Sequence, residues 1–250
     1  MKISGLSEKL YLLIQDFFSF CSGGSFCIGC GKKTLSLPVC KECRNLLRNI
    51  AAFNQYRCKN CGKILISEIE ICTECRENQK KQKYISAFFP LHSYRLWKKD
   101  LMYTWKTENV RSFSSFFAEL IYSSIKQIKE ENGLDFDSIV PVPPRPGKIQ
   151  KKGWDQVDEL CKILKRRYNF NVEYALERYS GQEQKKLNKE ERKNKQQNEY
   201  GLKKGDCLKA KKVLLLDDVI TTGATMEECS KLLLKAGAQN VYGMSLFIVD

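Results

Sequence analysis

Four C-x-x-C pairs constrain this chain more than any other feature: Cys27–Cys30, Cys40–Cys43, Cys58–Cys61 and Cys72–Cys75. A C-x-x-C turn lets two sulfurs converge on one ion, and two such turns close a tetrahedral S₄ site with metal–sulfur distances of about 2.3 Å. Nine residues separate the first two pairs and ten the last two, so the chain holds two self-similar units. Gly31 and Gly62 follow the second cysteine of the first pair in each unit, where a tight turn needs positive φ. Sequential pairing is the natural arrangement, with Cys27, Cys30, Cys40 and Cys43 at one ion and Cys58, Cys61, Cys72 and Cys75 at the other. An interleaved pairing satisfies the same spacings. Iron also suits paired thiolates, but needs no self-similar repeat. The expectation is two zinc ions held by eight cysteines, which fold a segment with too little core of its own. Cys21, Cys161, Cys207 and Cys229 have no such mate and read as ordinary thiols.

Metal is the first reading of 12 cysteines because nothing points to an oxidising compartment. No stretch approaches the ~18 uninterrupted apolar residues of a membrane span. At the N-terminus, Leu6, Leu10, Leu13, Ile14 and Phe17 recur at helical spacing, while Glu8, Lys9, Gln15 and Asp16 interrupt any signal-peptide core. A cytoplasmic protein is expected. Its formal net charge of +14 favours polyanionic partners, either nucleic acid or phosphorylated small molecules.

Three regions, 1–80, 81–137 and 138–250, separate by composition and make two domains. Residues 1–80 hold the N-terminal helix and the cysteine units, and are read as one domain; residues 81–250 are read as a second. Within the second, KYISAFFPLHSY has the β-branched and aromatic mix of a strand, and Pro90 points to an edge or a bulge. Phe113, Phe116, Phe117, Leu120, Ile121, Ile125 and Ile128 mark an amphipathic helix stopped by Gly133. SIVPVP reads as a short buried strand, 154–168 as a helix, VLLLDDV as a central parallel strand, 224–236 as a helix ended by Gly237, and 240–249 as another strand. Strands alternating with helices predict an α/β fold with a parallel sheet. Residues 178–212 break the pattern, with 12 Lys/Arg against five Asp/Glu and few apolar residues. They are expected to form a solvated, partly mobile excursion.

The second strong signal is the run from Val213 to Thr225. Four apolar residues make a buried strand, and Asp217 and Asp218 sit at its C-terminal end, where open α/β sheets bind ligands. The loop Thr221, Thr222, Gly223, Ala224 and Thr225 then opens a helix. Its N–H groups, its hydroxyls and the helix dipole suit a phosphate, and Gly223 removes the Cβ that would block close approach. Asp217 and Asp218 are placed to hydrogen-bond ribose hydroxyls or to sit near a bound Mg²⁺.

These thirteen residues resemble the phosphoribosyl-pyrophosphate (PRPP) motif of type I phosphoribosyltransferases. Paired cysteines ahead of such a domain resemble the ComF family (competence protein F, or GntX type). Val140-Pro141-Val142-Pro143 followed by Lys152-Gly153-Trp154-Asp155-Gln156 is similar to the family's "PVP…RGFNQ" stretch, with Lys, Trp and Asp replacing Arg, Phe and Asn. Gln184, Leu187, Arg192 and Asn194 match its "Q…L…R.N" segment, and Lys106 fits the lysine after its first helix. The resemblance implies a five-stranded parallel sheet with flanking helices behind a double zinc ribbon, and a flexible basic loop at 178–204 that closes over PRPP. It implies Mg²⁺ with PRPP, and a role in natural transformation handling single-stranded DNA. The implied partners are PRPP, single-stranded DNA and the proteins that translocate DNA in competence.

Two functions follow from different classes. One is an enzyme: phosphoribosyl transfer from PRPP to an unidentified base or amine, with Asp217 and Asp218 as the catalytic pair and the loop Thr221–Thr225 holding the 5′-phosphate. The other is a DNA-handling competence factor. Its nucleic-acid contacts would come from Lys185, Lys186, Lys189, Arg192, Lys193 and Lys195. The aromatics Tyr84, Tyr94, Trp97 and Trp105 could stack on bases, although core packing is the more ordinary use of such rings. His92, the only histidine, reads as a strand residue rather than a ligand.

Overall fold

The structure, a computed structural model, describes residues 25–35, 37–50, 56–67, 69–77, 83–179, 199–203 and 208–249. The expected N-terminal helix, Cys21, Cys207, Gln184, Leu187, Asn194 and the six Lys/Arg residues between 185 and 195 lie outside the described residues. Among the described residues no helix is long and apolar enough to cross a membrane.

The first cysteine unit is a hairpin of β1 (Ser25–Phe26) and β2 (Lys33–Thr34), followed by α1 (Lys41–Arg48). Cys27 N–H donates to the Lys32 carbonyl at 2.7 Å and Gly31 N–H to the Cys27 carbonyl at 2.8 Å, which closes the knuckle. The second unit repeats this with Cys58 to Lys63 at 2.8 Å and Gly62 to Cys58 at 2.8 Å, and ends in α2 (Thr73–Glu77). Gly31 and Gly62 adopt φ of 74° and 72°, as the tight turn demands.

The main sheet runs β3-β8-β7-β4, with every pairing parallel: β3 Ala87–Ser93, β4 Ser138–Pro141, β7 Lys212–Ile220 and β8 Asn240–Ile248. Central β7 alternates between two buried clusters. Leu214 and Leu216 face one, with α3 (Trp97–Lys106), α4 (Ser112–Asn132) and α6 (Gln156–Tyr168); Val213 and Leu215 face the other, with α7 (Ala224–Lys235). Helices on both faces explain why the strand reads as a continuous apolar run. The apolar stripe from Phe113 to Ile128 is buried along α4, and Gly133 ends that helix at φ 63°. Pro90 lies on an edge strand rather than in a bulge, where a missing N–H costs least.

The implied fifth strand is reduced among the described residues to one parallel bridge, Ile139 to Val172, beside β4. Ile139 N–H donates to the Asn171 carbonyl at 2.9 Å and Glu173 N–H to the Ile139 carbonyl at 3.0 Å, after which the chain leaves the sheet. Beyond it, α5 (Lys148–Lys152) precedes α6, and β5 (Leu176–Arg178) pairs antiparallel with β6 (Tyr200–Leu202). This hairpin lies largely inside the segment read as a solvated excursion.

Both cysteine units pack on the main body. Cys27, Cys40 and Cys43 belong to the buried cluster that contains Trp105, Phe117 and Leu216. Cys61 of the second unit packs against the cluster on the opposite face, with Phe88, Ile220 and Ile248.

Candidate functional site

The cysteines converge as two sets, Cys27/Cys30/Cys40/Cys43 and Cys58/Cys61/Cys72/Cys75, and within each set the sulfurs lie within 4.8 Å of one another. The geometry is the sequential pairing, not the interleaved one. In each set the second pair opens a helix, so backbone N–H groups turn toward sulfur: Cys40 N–H to Cys27 Sγ at 3.2 Å, and Cys72 N–H to Cys58 Sγ at 3.3 Å. Four crowded thiols cannot share their protons evenly. Cys58 falls to about 4 because Cys61 donates to it, and giving that hydrogen bond pushes Cys61 far up. A dication bound here would resolve the conflict by taking all four as thiolates. A closed all-sulfur donor set fits tetrahedral zinc. Cys161 and Cys229 are buried thiols whose pKa burial raises, in line with an ordinary packing role.

Asp217 and Asp218 end the buried part of β7. Asp218 N–H donates to Asp217 Oδ1 at 2.7 Å, and Lys106 Nζ, at the last residue of α3, pairs with Asp218 Oδ1 at 2.8 Å. The Asp217 carboxyl is pushed up to about 8, first by burial and then by the charge of Asp218, while the Asp218 N–H and Lys106 pull the other way. Two adjacent carboxyls with one ammonium between them suit a Mg²⁺ ion or a pair of ribose hydroxyls, either of which would stabilise the ionised pair.

Gly223 caps α7 in a left-handed conformation (φ 79°) that disfavours any other residue. The helix has no side-chain N-cap, and the Ala224 N–H reaches only the Thr222 hydroxyl, at 3.4 Å. The first-turn N–H groups therefore point at an exposed loop, a ready place for an anion.

These elements open on a cleft of about 360 Å³ lined by Lys106, Asp217, Asp218 and Thr225, by Val142–Arg145 after β4, by Lys148, Asp155 and Val157, and by Arg178 and Tyr200. Thr221, Thr222 and Gly223 instead face a smaller neighbouring cleft against the second cysteine unit. Asp155 caps α6, accepting from Asp158 N–H at 3.0 Å, and its buried carboxylate takes Lys148 Nζ at 2.6 Å. Trp154 is spent on packing, with its indole N–H on Asn109 Oδ1 at 3.0 Å. Gln156 is fully buried, and its amide has no hydrogen-bond partner among the described residues.

Sequence reasoning missed Arg145, Lys148, Arg178 and Tyr200. Arg178 pairs with Glu199 at 2.5 Å and lies over the Tyr200 ring, 5.1 Å from its centroid. The one signal was a buried-type Tyr followed by Gly, facing Leu-Glu-Arg across the basic run. Trp105, considered for base stacking, is fully buried and donates to Ser114 Oγ at 3.0 Å. His92 is a buried strand residue, and burial lowers its pKa to about 3.

Comparison with known proteins places these features. A family model described as "Phosphoribosyl transferase domain" matches residues 154–247. Competence protein F of Haemophilus influenzae is 27% identical over 245 residues, covering 91% of this chain and 96% of that protein. Competence protein ComFC of Streptococcus pneumoniae is 28% identical over 210 residues, 83% of this chain and 86% of that protein. Among solved structures, the glutamine PRPP amidotransferase from B. subtilis, in complex with ADP and GMP, matches 48% of this chain and 24% of its own at 16% identity and a TM-score of 0.34. With its parallel sheet, its carboxyl pair and loop, and two Cys₄ clusters ahead of them, the chain resembles the ComF competence proteins along most of its length, and its residues 154–247 match the phosphoribosyl transferase domain.

Proposed function

We propose that this chain is a ComF-type competence protein. It binds PRPP with Mg²⁺ in the cleft at the end of β7, carries two structural zinc ions, and handles single-stranded DNA in the cytoplasm during natural transformation. One observation supports this above the rest: a carboxyl pair and an uncapped glycine loop follow each other at one end of a parallel sheet, beside a cleft with cations on its walls.

In this reading the N–H groups and hydroxyls of Thr221–Thr225 hold the 5′-phosphate. Asp217 and Asp218 orient the ribose hydroxyls, and Lys106 holds Asp218 in place. Mg²⁺ supplies charge neutralisation for the pyrophosphate. Arg145 adds positive charge along the cleft that suits a polyanionic ligand, while Lys148 and Arg178 come to it already paired with Asp155 and Glu199. The same constellation supports phosphoribosyl transfer to a base or amine. There the oxocarbenium-like transition state is served by positioning and by carboxylate charge.

The DNA contribution comes from the basic segment, where Lys185, Lys186, Lys189, Arg192, Lys193 and Lys195 concentrate charge. Neutralising Z phosphates on a single strand gives a log–log salt slope of about −0.7Z. The deciding experiment titrates PRPP with and without single-stranded DNA, on wild type and on the Asp217→Asn/Asp218→Asn double variant. PRPP binding that is lost in the variant, with DNA binding kept, supports two functions on one chain. PRPP binding indifferent to the substitutions refutes the carboxyl assignment. A DNA salt slope unchanged by Lys185/Lys186/Lys189→Ala moves the DNA site off the basic segment.

A further inference from the structure

The second cysteine unit lies directly against the phosphate loop. Cys61, Lys63 and Cys75 form one side of a narrow cleft whose other side is Thr221, Thr222 and Gly223. The free space between them is about 20 Å³, room for about one water. The unit is fastened to the sheet edge beside it. Arg57 Nη1 donates to the Gly62 carbonyl at 3.0 Å and to the Pro90 carbonyl at 2.8 Å, bridging knuckle and β3. Gly62 sits so close that a Cβ would come 2.4 Å from the Phe88 carbonyl oxygen. From there the frame is continuous: β3 pairs with β8, and β8 pairs with β7 up to Ile220, the residue before the loop.

The first unit has no such relation. Its Gly29 packs toward Cys43 and Trp97, its Cys27, Cys40 and Cys43 join the cluster around Trp105, and among the described residues it supplies none to the cleft beside the loop. The loop has little support of its own, since Thr221 and Thr222 are exposed and the helix behind them lacks a side-chain cap.

We propose that the second Cys₄ unit is the positioning wall of the phosphate loop. Intact and metal-loaded, it holds Thr221–Gly223 in the conformation that accepts a phosphate monoester, and the first unit does not share this role. The proposal rests on the reading of Thr221–Thr225 as a phosphate loop. The wall acts by position rather than by attraction. Four thiolates on one dication would leave two negative charges, and the Lys63 cation in the same cleft is matched by the Glu74 carboxylate, so the wall offers an anion no net attraction.

The test sets Gly62→Ala in the second unit against Gly29→Ala, a crowding substitution inside the first, each with zinc content, thermal midpoint and amide exchange measured. Ribose 5-phosphate is the calorimetric probe. Gly62→Ala puts a side chain at φ 72° and against the Phe88 carbonyl without removing a thiol. It is expected to weaken ribose 5-phosphate binding about tenfold and to speed exchange at Thr221–Gly223. Gly29→Ala, which crowds Cys43 Sγ at 2.8 Å, is expected to leave affinity within about twofold even where it lowers the midpoint. Unchanged affinity in Gly62→Ala, or equal losses in both variants, overturns the proposal. A wild type that binds no ribose 5-phosphate refutes the phosphate loop itself. Amide exchange then decides the wall alone, and unchanged exchange at Thr221–Gly223 in Gly62→Ala overturns it. Should Gly62→Ala fail to fold, Arg57→Lys, which keeps the charge but loses the fork bridging Gly62 and Pro90, replaces it with the same expectations.

Discussion

Asp217 is held against its chemistry, and replacing it with asparagine should stabilise the protein at alkaline pH. Burial and Asp218 lift the folded carboxyl from an ordinary 3.8 to about 8. Between those values the folded state keeps a proton that the unfolded state has released. Folding is therefore unaffected by this group below about pH 4, and is progressively penalised as pH rises toward 8. Each pKa unit is worth about 1.4 kcal/mol, which would give about 6 kcal/mol for the full span. Asp217 keeps partial contact with solvent at the cleft, so we take about half, on the order of 3 kcal/mol at pH 8 and above. Asp217→Asn introduces an amide oxygen that can still accept the Asp218 N–H, so the variant keeps that 2.7 Å hydrogen bond while losing the charge. Urea denaturation from pH 5 to 9 measures the effect. The wild type should lose stability relative to the variant as pH rises, with the gap narrowing toward pH 5 and closing only near pH 4. A variant less stable than wild type at pH 8.5, or a gap that does not depend on pH, refutes the argument. So placed, Asp217 is a residue kept at a cost in stability, as ligand-binding groups commonly are.

Two further outcomes follow from the packing and the clusters. Trp105→Ala should cost about 3–5 kcal/mol by denaturant unfolding, because it empties a site between Phe117 and Trp154 and strands the Ser114 hydroxyl; a loss under about 1 kcal/mol contradicts the core assignment. Metal analysis should find two zinc ions per chain, and chelation should lower the thermal midpoint; one ion, none or a coloured iron centre contradicts the two-cluster account.

Legibility in the sequence followed the range of the interactions. The cysteine units, the strand ending in Asp217-Asp218 and the Gly223 loop were readable because each is local: spacing, periodicity and one glycine specify them. Pro90 narrowed its strand to an edge or a bulge for the same reason. What stayed hidden was convergence. Arg145, Lys148, Arg178 and Tyr200 reach the cleft from three separate segments, and only the tertiary fold brings them beside Asp218. Trp105 was open to stacking, with core packing the more ordinary reading, until its ring was seen against Phe117, 4.7 Å between centroids. The approach of the second cysteine unit to Thr221–Gly223 was also invisible. Gly62 signals a turn, but nothing in the sequence says that its missing Cβ makes room for the Phe88 carbonyl.

The central claim, that the loop before α7 holds the phosphate of PRPP, is tested most directly by calorimetric titration of PRPP with Mg²⁺ into wild type, Gly223→Val and Thr225→Ser. Gly223 adopts φ 79°, so valine there is both strained and placed where the phosphate must approach. Thr225→Ser keeps the hydroxyl that lines the cleft. The account predicts measurable wild-type binding, a loss of at least about a hundredfold in Gly223→Val and a change under about tenfold in Thr225→Ser, since a lost charge-assisted contact set is worth about 1.5–3 kcal/mol or more. Equal losses in the two variants, or PRPP binding untouched by Gly223→Val, would contradict it.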